Sequence, residues 1–317
     1  ALAMVGHGGS GKTTLSEALL AATGGIPAAG AVERGNTVCD YDPLEKAHLH
    51  SIKLAVAHLR HQDSLIHILD TPGYPDYMGQ AMCALDAADT AVVVLDAKKG
   101  IELTAHRMMH WAQTRKLCRM IVVNKIDTPE ADLPALLAEI QAAFGRECLP
   151  INLPAGQGSR VTDCFFNPAG EADFSSVEDA HRALVDQVVE VDEDLMGIYL
   201  EQGEVAPEQL HAPFEKALRD GHLVPVCFVS TQTGAGLTEL LNIMVRLLPN
   251  PGEANPPLFL RGEGESAQPL VPEPDSAKHV LAHVFKLEVD PYIGRIAAFR
   301  VHQGTVTENS QLYIGEL

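Results

Sequence analysis

Basic residues are scarce in this chain. Lys plus Arg number 23 against 42 Asp plus Glu, a formal net charge of −19, and such a field repels phosphate backbones. Any nucleic-acid contact must then be local, or made by a part of the protein outside these residues. Paired cysteines are missing too. Cys39, Cys83, Cys118, Cys148, Cys164 and Cys227 form no Cys-x-x-Cys pair and no framework spacing, which argues against a disulfide scaffold or zinc site and for reduced thiols in the cytoplasm. No apolar run approaches the roughly 20 residues that span a bilayer, so no membrane association is expected. The opening Ala1-Leu2-Ala3-Met4-Val5 is too short for a signal-peptide core and runs straight into a glycine-rich loop; a buried first strand is the better reading. Position 1 is not Met, and trimming or processing at that end is expected. No internal repeat is visible.

What is present is ordinary globular composition, 46% hydrophobic and 21% charged over 317 residues, with length enough for two domains. Strand patterns at Leu2 to Val5, Leu65 to Leu69, Ala91 to Leu95, Met120 to Val123 and Val224 to Val229 alternate with helical patterns at Thr14 to Ala22, Glu102 to Trp111, Leu133 to Phe144 and Leu237 to Leu247. Apolar strands alternating with amphipathic helices predict a doubly wound α/β domain around a mostly parallel sheet. From Pro249 to Lys278 prolines accumulate among Gly, Glu and Ser, the texture of a linker. Val280 to Val289, Arg295 to His302 and Gln311 to Ile314 then read as strands. Three strands cannot close a barrel. The expected organisation is an α/β domain over 1–250, a linker over 251–278, and over 279–317 the start of a β-barrel whose remainder lies elsewhere.

Gly6-His7-Gly8-Gly9-Ser10-Gly11-Lys12-Thr13 matches G-x-x-x-x-G-K-[ST], with a strand before it and a helix after it. Backbone N–H groups of such a loop converge on phosphate oxygens, and the helix adds its positive dipole end. Residues 6–14, through Thr14, form the candidate cradle; Lys12 is expected on the β and γ phosphates and Thr13 on Mg²⁺. Asp70-Thr71-Pro72-Gly73 closes a strand, placing Asp70 to support the metal and the Gly73 N–H near the γ-phosphate. Asn124-Lys125-Ile126-Asp127 follows another strand. The Asp127 carboxylate can accept both guanine N1–H and N2–H, which adenine does not offer, while Asn124 and the Lys125 stem flank the base. Ser230-Thr231-Gln232 is the expected fourth contact, through backbone N–H groups. About 100 residues separate Asp127 from Ser230, where one helix and strand need roughly 30; an insertion over about 150–221 is expected, with a helical stretch at Glu178 to Leu200. The fold class is thus a P-loop GTPase doubly wound α/β sheet with an inserted α/β subdomain, followed by a truncated β-barrel start.

These runs, with Val191-Asp192-Glu193-Asp194-Leu195-Met196, Val284-Phe285-Lys286 and Asp290-Pro291-Tyr292-Ile293-Gly294-Arg295, together resemble the translational GTPases, most closely the elongation factor G family. The resemblance covers essentially the whole chain. It implies GTP/GDP and Mg²⁺ as ligands, ribosomal RNA and ribosomal proteins as partners, and a monomeric cytoplasmic factor. Three departures point to the divergent elongation factor G-like, or type 2, branch. Tyr74 follows Asp-Thr-Pro-Gly where the family has a His that positions the attacking water. His48-Leu49-His50-Ser51 stands where the family shows Arg-Gly-Ile-Thr, leaving Ser51 as the hydroxyl offered to Mg²⁺. Gly9 replaces an acidic residue. A phenol accepts a proton poorly at neutral pH. Lys12, Gly73 and Tyr74 are therefore the candidate catalytic residues of a GTPase attenuated at Tyr74. The alternative is a GTP-dependent ribosome-binding regulator with weak or no hydrolysis.

Overall fold

A computed structural model describes residues 1–317 except 204, 207, 208, 263 and 314–317, and the side chain of Glu265. It divides into two compact units, Ala1–Asn255 and Pro256–Leu317. In the first unit the strands are, in chain order, β1 (Leu2–Val5), β2 (Ala55–His61), β3 (Ser64–Asp70), β4 (Thr90–Asp96), β5 (Cys118–Asn124), β6 (Cys148–Pro150), β7 (Asn152–Ala155), β8 (Arg160–Asp163) and β9 (Val224–Phe228). The helices are α1 (Lys12–Ala22), α2 (Pro43–His48), α3 (Met78–Ala87), α4 (Leu103–Thr114), α5 (Leu133–Phe144), α6 (Val177–Val189), α7 (Glu193–Gln202), α8 (His211–Arg219) and α9 (Leu237–Arg246).

Seven strands form one sheet in the order β2-β3-β1-β4-β5-β9-β6. Only β2 runs antiparallel to its neighbour. β1, β4, β5 and β9 are buried at every position, as expected of central strands covered on both faces. Their carboxyl ends, with that of β3, open into the loops at Gly6, Asp70, Asp96, Asn124 and Val229. One edge of the sheet thereby gathers the four nucleotide-binding motifs read from the sequence, the usual location for a ligand in an open α/β sheet. β2 has no counterpart in the sequence reading, because it pairs at the sheet edge and exposes Val56, His58 and Arg60 while burying only Ala55 and Leu59.

Between β6 and β9 lie the antiparallel pair β7–β8 and helices α6, α7 and α8. Leu184, Val188 and Phe214 are buried there, and the Phe165 and Phe214 rings lie 4.9 Å apart. The helical stretch from Glu178 to Leu200 is two helices. Asp192 breaks it, accepting the Leu195 N–H at the start of α7, as N-cap carboxylates do.

The second unit contains two antiparallel pairs, β10 (Phe259–Arg261) with β11 (Gln268–Leu270) and β12 (Leu281–Asp290) with β13 (Gly294–Gln303). The segment read as a linker therefore holds a short hairpin. Asp290 Oδ1 accepts from the N–H groups of Tyr292 and Ile293 at 2.8 Å each and fixes the β12–β13 turn. The expected third strand is not seen at Gln311–Tyr313, and its last residue, Ile314, lies outside the described residues. Among the described residues no helix is long and apolar enough to cross a membrane.

Candidate guanine-nucleotide site

The phosphate loop links β1 to α1. Gly11 is the residue before the helix and sits at φ +93°, in the left-handed region that favours glycine; a Cβ there would also run into Asn124 Nδ2. Lys12 is buried, and its Nζ donates to Gly6 O at 3.0 Å and His7 O at 2.9 Å. Burial pushes its ammonium down to about 8 against the opposing pull of Asp70. A buried cation at a helix N-terminus is poised for an anion. His7 is buried as well, and burial lowers its pKa. Gly8, Lys12, Thr13, His50, Gly73 and Tyr74 are among the residues lining a cavity of about 220 Å³ at this end. A larger cavity of about 530 Å³ runs along β2 past the far end of α1, but it lacks the phosphate loop.

The three residues expected at Mg²⁺ come together. Thr13 Oγ1 donates to Asp70 Oδ2 at 2.7 Å, and Ser51 Oγ donates to Asp40 Oδ1 at 2.7 Å. The two hydroxyl oxygens lie 3.1 Å apart. With each proton directed to its own carboxylate, their lone pairs face one another. Adjacent ligands of an octahedral Mg²⁺ lie roughly 2.9 Å apart at the usual bond lengths, and Mg²⁺ takes hard oxygen donors of this kind. Asp70 Oδ1 is buried without a hydrogen-bond partner. Burial raises the Asp70 carboxyl to about 7, against the Thr13 hydrogen bond and the Lys12 charge, the condition of a carboxylate short of a cation. The donor set fits Mg²⁺.

At the base end, Asn124 ties three loops together. Its Nδ2 donates to Ser10 O at 3.2 Å, and its Oδ1 accepts from Lys125 N–H at 2.8 Å and Thr231 N–H at 3.2 Å. Lys125, held at φ +66°, donates from Nζ to Gly9 O at 2.7 Å and to Asp96 Oδ2 at 2.6 Å. Asp127 Oδ1 is buried with no hydrogen-bond partner. The N–H groups of Ser230 and Thr231 are engaged inside the fold, on Ala235 O and Asn124 Oδ1. These two residues shape the loop, and Gln232 beside them is exposed.

Residues 1–250 match the model of the elongation factor Tu GTP-binding domain. The chain belongs to the elongation factor G-like translational GTPases. An elongation factor G-like protein of Mycobacterium tuberculosis is 33% identical over 324 aligned positions, covering 98% of this chain and 45% of that one. Elongation factor G of Thermotoga maritima is 28% identical over 334 positions, covering 98% and 48%. A crystal structure of a protein from Thermus thermophilus superposes with a TM-score of 0.79 at 35% identity, covering 96% of this chain and 45% of the other. The chain spans a little under half the length of these relatives.

In this elongation factor G-like chain, four acidic residues that the sequence reading left without a role position the site. Glu17 in α1 accepts from Gly30 N–H and Val38 N–H at 2.8 and 2.6 Å. Glu45 accepts from Ile52 and Lys53 at 2.9 Å each. Together with Asp40, they pin the segment carrying Ser51. Asp96 ends β4; burial alone would raise it, but the Lys125 hydrogen bond and the Lys98 and Lys99 N–H groups outweigh burial and hold it below the usual range. A carboxylate closing a fully apolar strand was the available signal.

Gly73 packs against the loop so closely that a Cβ would stand 2.6 Å from Gly8 N and nearer still to Lys12 Nζ. Gly73→Ala is expected to separate the loop after β3 from the phosphate loop, lowering affinity for a non-hydrolysable GTP analogue about tenfold while leaving GDP affinity within about twofold. Parallel titrations with the two nucleotides check it; an equal loss for both contradicts it.

Proposed function

We propose that this chain is the nucleotide-binding part of a monomeric cytoplasmic translation factor that binds GTP with Mg²⁺ and couples its hydrolysis to interaction with the ribosome. The observation that supports this best is the buried, unpartnered Asp127 Oδ1 at the end of the sheet edge that also carries the phosphate loop. That carboxylate has two acceptor oxygens for the two donors peculiar to guanine. Residues 6–14 cradle the phosphates, Lys12 neutralises them, and Thr13, Ser51 and Asp70 hold the metal. Mg²⁺ held there would neutralise the charge that develops on the phosphates. Differential contacts of Ser51 at the metal and of Gly73 at the γ-phosphate order the segments that carry them, the first and second switch, in the GTP state and release them afterwards. The β12–β13 hairpin would open a β-barrel domain. The charge of −19 assigns the main RNA-binding surface to other parts of the protein.

Tyr74 favours a second reading, a GTP-dependent ribosome-binding regulator with little turnover. Ribosome-stimulated GTP hydrolysis by the full-length protein separates the two. Multiple turnover at a rate usual for elongation factors excludes the regulator, whereas near-silence relieved by Tyr74→His excludes the efficient enzyme.

A further inference from the structure

The phosphate end of the cavity is roofed by two aromatic rings from different switches. Tyr74 packs against the phosphate loop, with ring carbons 3.1 to 3.4 Å from where a Cβ on Gly8 would stand. A Cβ at Gly8 would crowd that ring. His50 lies one residue before Ser51, with its ring centroid 4.6 Å from Tyr74 and 6.1 Å from Tyr77. It lines the same cavity as Gly8, Lys12 and Gly73.

The tautomer of His50 follows from its neighbour. Nδ1 lies 3.2 Å from Ser51 O, and a carbonyl oxygen only accepts. Nδ1 therefore carries the proton, and in the neutral ring Nε2 presents a lone pair. A phenol laid on the loop offers little of this kind, whereas an imidazole with a free acceptor suits a water molecule.

We propose that His50 orients the attacking water in GTP hydrolysis, with Tyr74 as the surface that holds its ring. The proposal rests on the GTPase reading above. The water donates one O–H to Nε2 while its oxygen attacks the γ-phosphorus. The bond from that phosphorus to the bridging oxygen breaks, GDP leaves with the bridging oxygen, and the water protons end on inorganic phosphate and solvent. The imidazole positions the water and returns unchanged.

The experiment is single-turnover GTP hydrolysis by the full-length protein, with and without ribosomes, beside equilibrium binding of a fluorescent GTP. His50→Phe keeps a flat ring against Tyr74 but removes the acceptor; hydrolysis is expected to slow about 10²-fold with GTP affinity within about twofold of wild type. His50→Gln restores an acceptor and is expected to recover most of that loss. Hydrolysis by His50→Phe at the wild-type rate overturns the proposal, and so do equal losses in Phe and Gln. A wild-type protein that binds GTP but never hydrolyses it also overturns the role of His50. Failure of the wild type to bind GTP at all defeats the GTPase reading instead.

Discussion

Asp127→Asn is expected to convert a guanine site into a xanthine site, with GTP affinity falling by two to three decades and XTP becoming the better ligand. A carboxylate only accepts, and guanine turns two donors, N1–H and N2–H, toward it. An amide at the same place can accept one of these and opposes the other with its own N–H. Losing one charge-assisted bond and opposing a second donor costs about 3 to 4 kcal/mol. Xanthine keeps N1–H but carries a carbonyl where guanine has its amino group, so its donor and acceptor match the amide. Asp127 Oδ1 has no partner within the protein to lose, so the fold should tolerate the change. Competition between GTP, XTP and ATP for the purified variant checks this. Unchanged GTP affinity, or ATP competing as well as GTP, contradicts the assignment of the base site.

Lys12→Met is the second large effect. Methionine approximates the length and apolar stem of lysine without its charge. Burial already holds this ammonium down at about 8, so the nucleotide-free protein gains little from the charge. The bound nucleotide, by contrast, loses its only buried cation among the described phosphate-loop residues. A loss of about 10³ in GTP affinity, roughly 4 kcal/mol, is expected. Wild-type protein at a GTP concentration of about 100 times Kd is stabilised by about 2.7 kcal/mol, a shift of roughly 5 to 11 °C for a domain of this size. In Lys12→Met that shift disappears while the nucleotide-free Tm stays within a few degrees. A persistent GTP-induced shift would place the phosphates elsewhere.

Much of this site was legible because its elements follow one rule. Strands that are apolar throughout announce themselves, and the polar residue ending each lies at the ligand-binding edge of the sheet. Asp70, Asn124 and Ser230 were found that way, and the glycines of the phosphate loop by their spacing. The residues that escaped are those whose meaning depends on distant partners. Glu17 reads as a polar position on a helix until Gly30 and Val38 are seen to donate to it. Asp40 has no visible role until Ser51 is seen to donate to it. β2 escaped because half its side chains are exposed and histidines interrupt its pattern. In the second unit, prolines disguised the hairpin at β10 and β11, since Pro269 pairs in a short edge ladder, where proline is tolerated.

The central claim is that nucleotide state at this site controls binding to the ribosome. Its most direct test is the affinity of the full-length protein for ribosomes, measured with a non-hydrolysable GTP analogue and with GDP under identical salt. The two-switch arrangement of Ser51 and Gly73 predicts binding at least tenfold tighter in the GTP state, a coupling of about 1.4 kcal/mol or more. Equal affinity in the two states, or no ribosome binding in either, would contradict it.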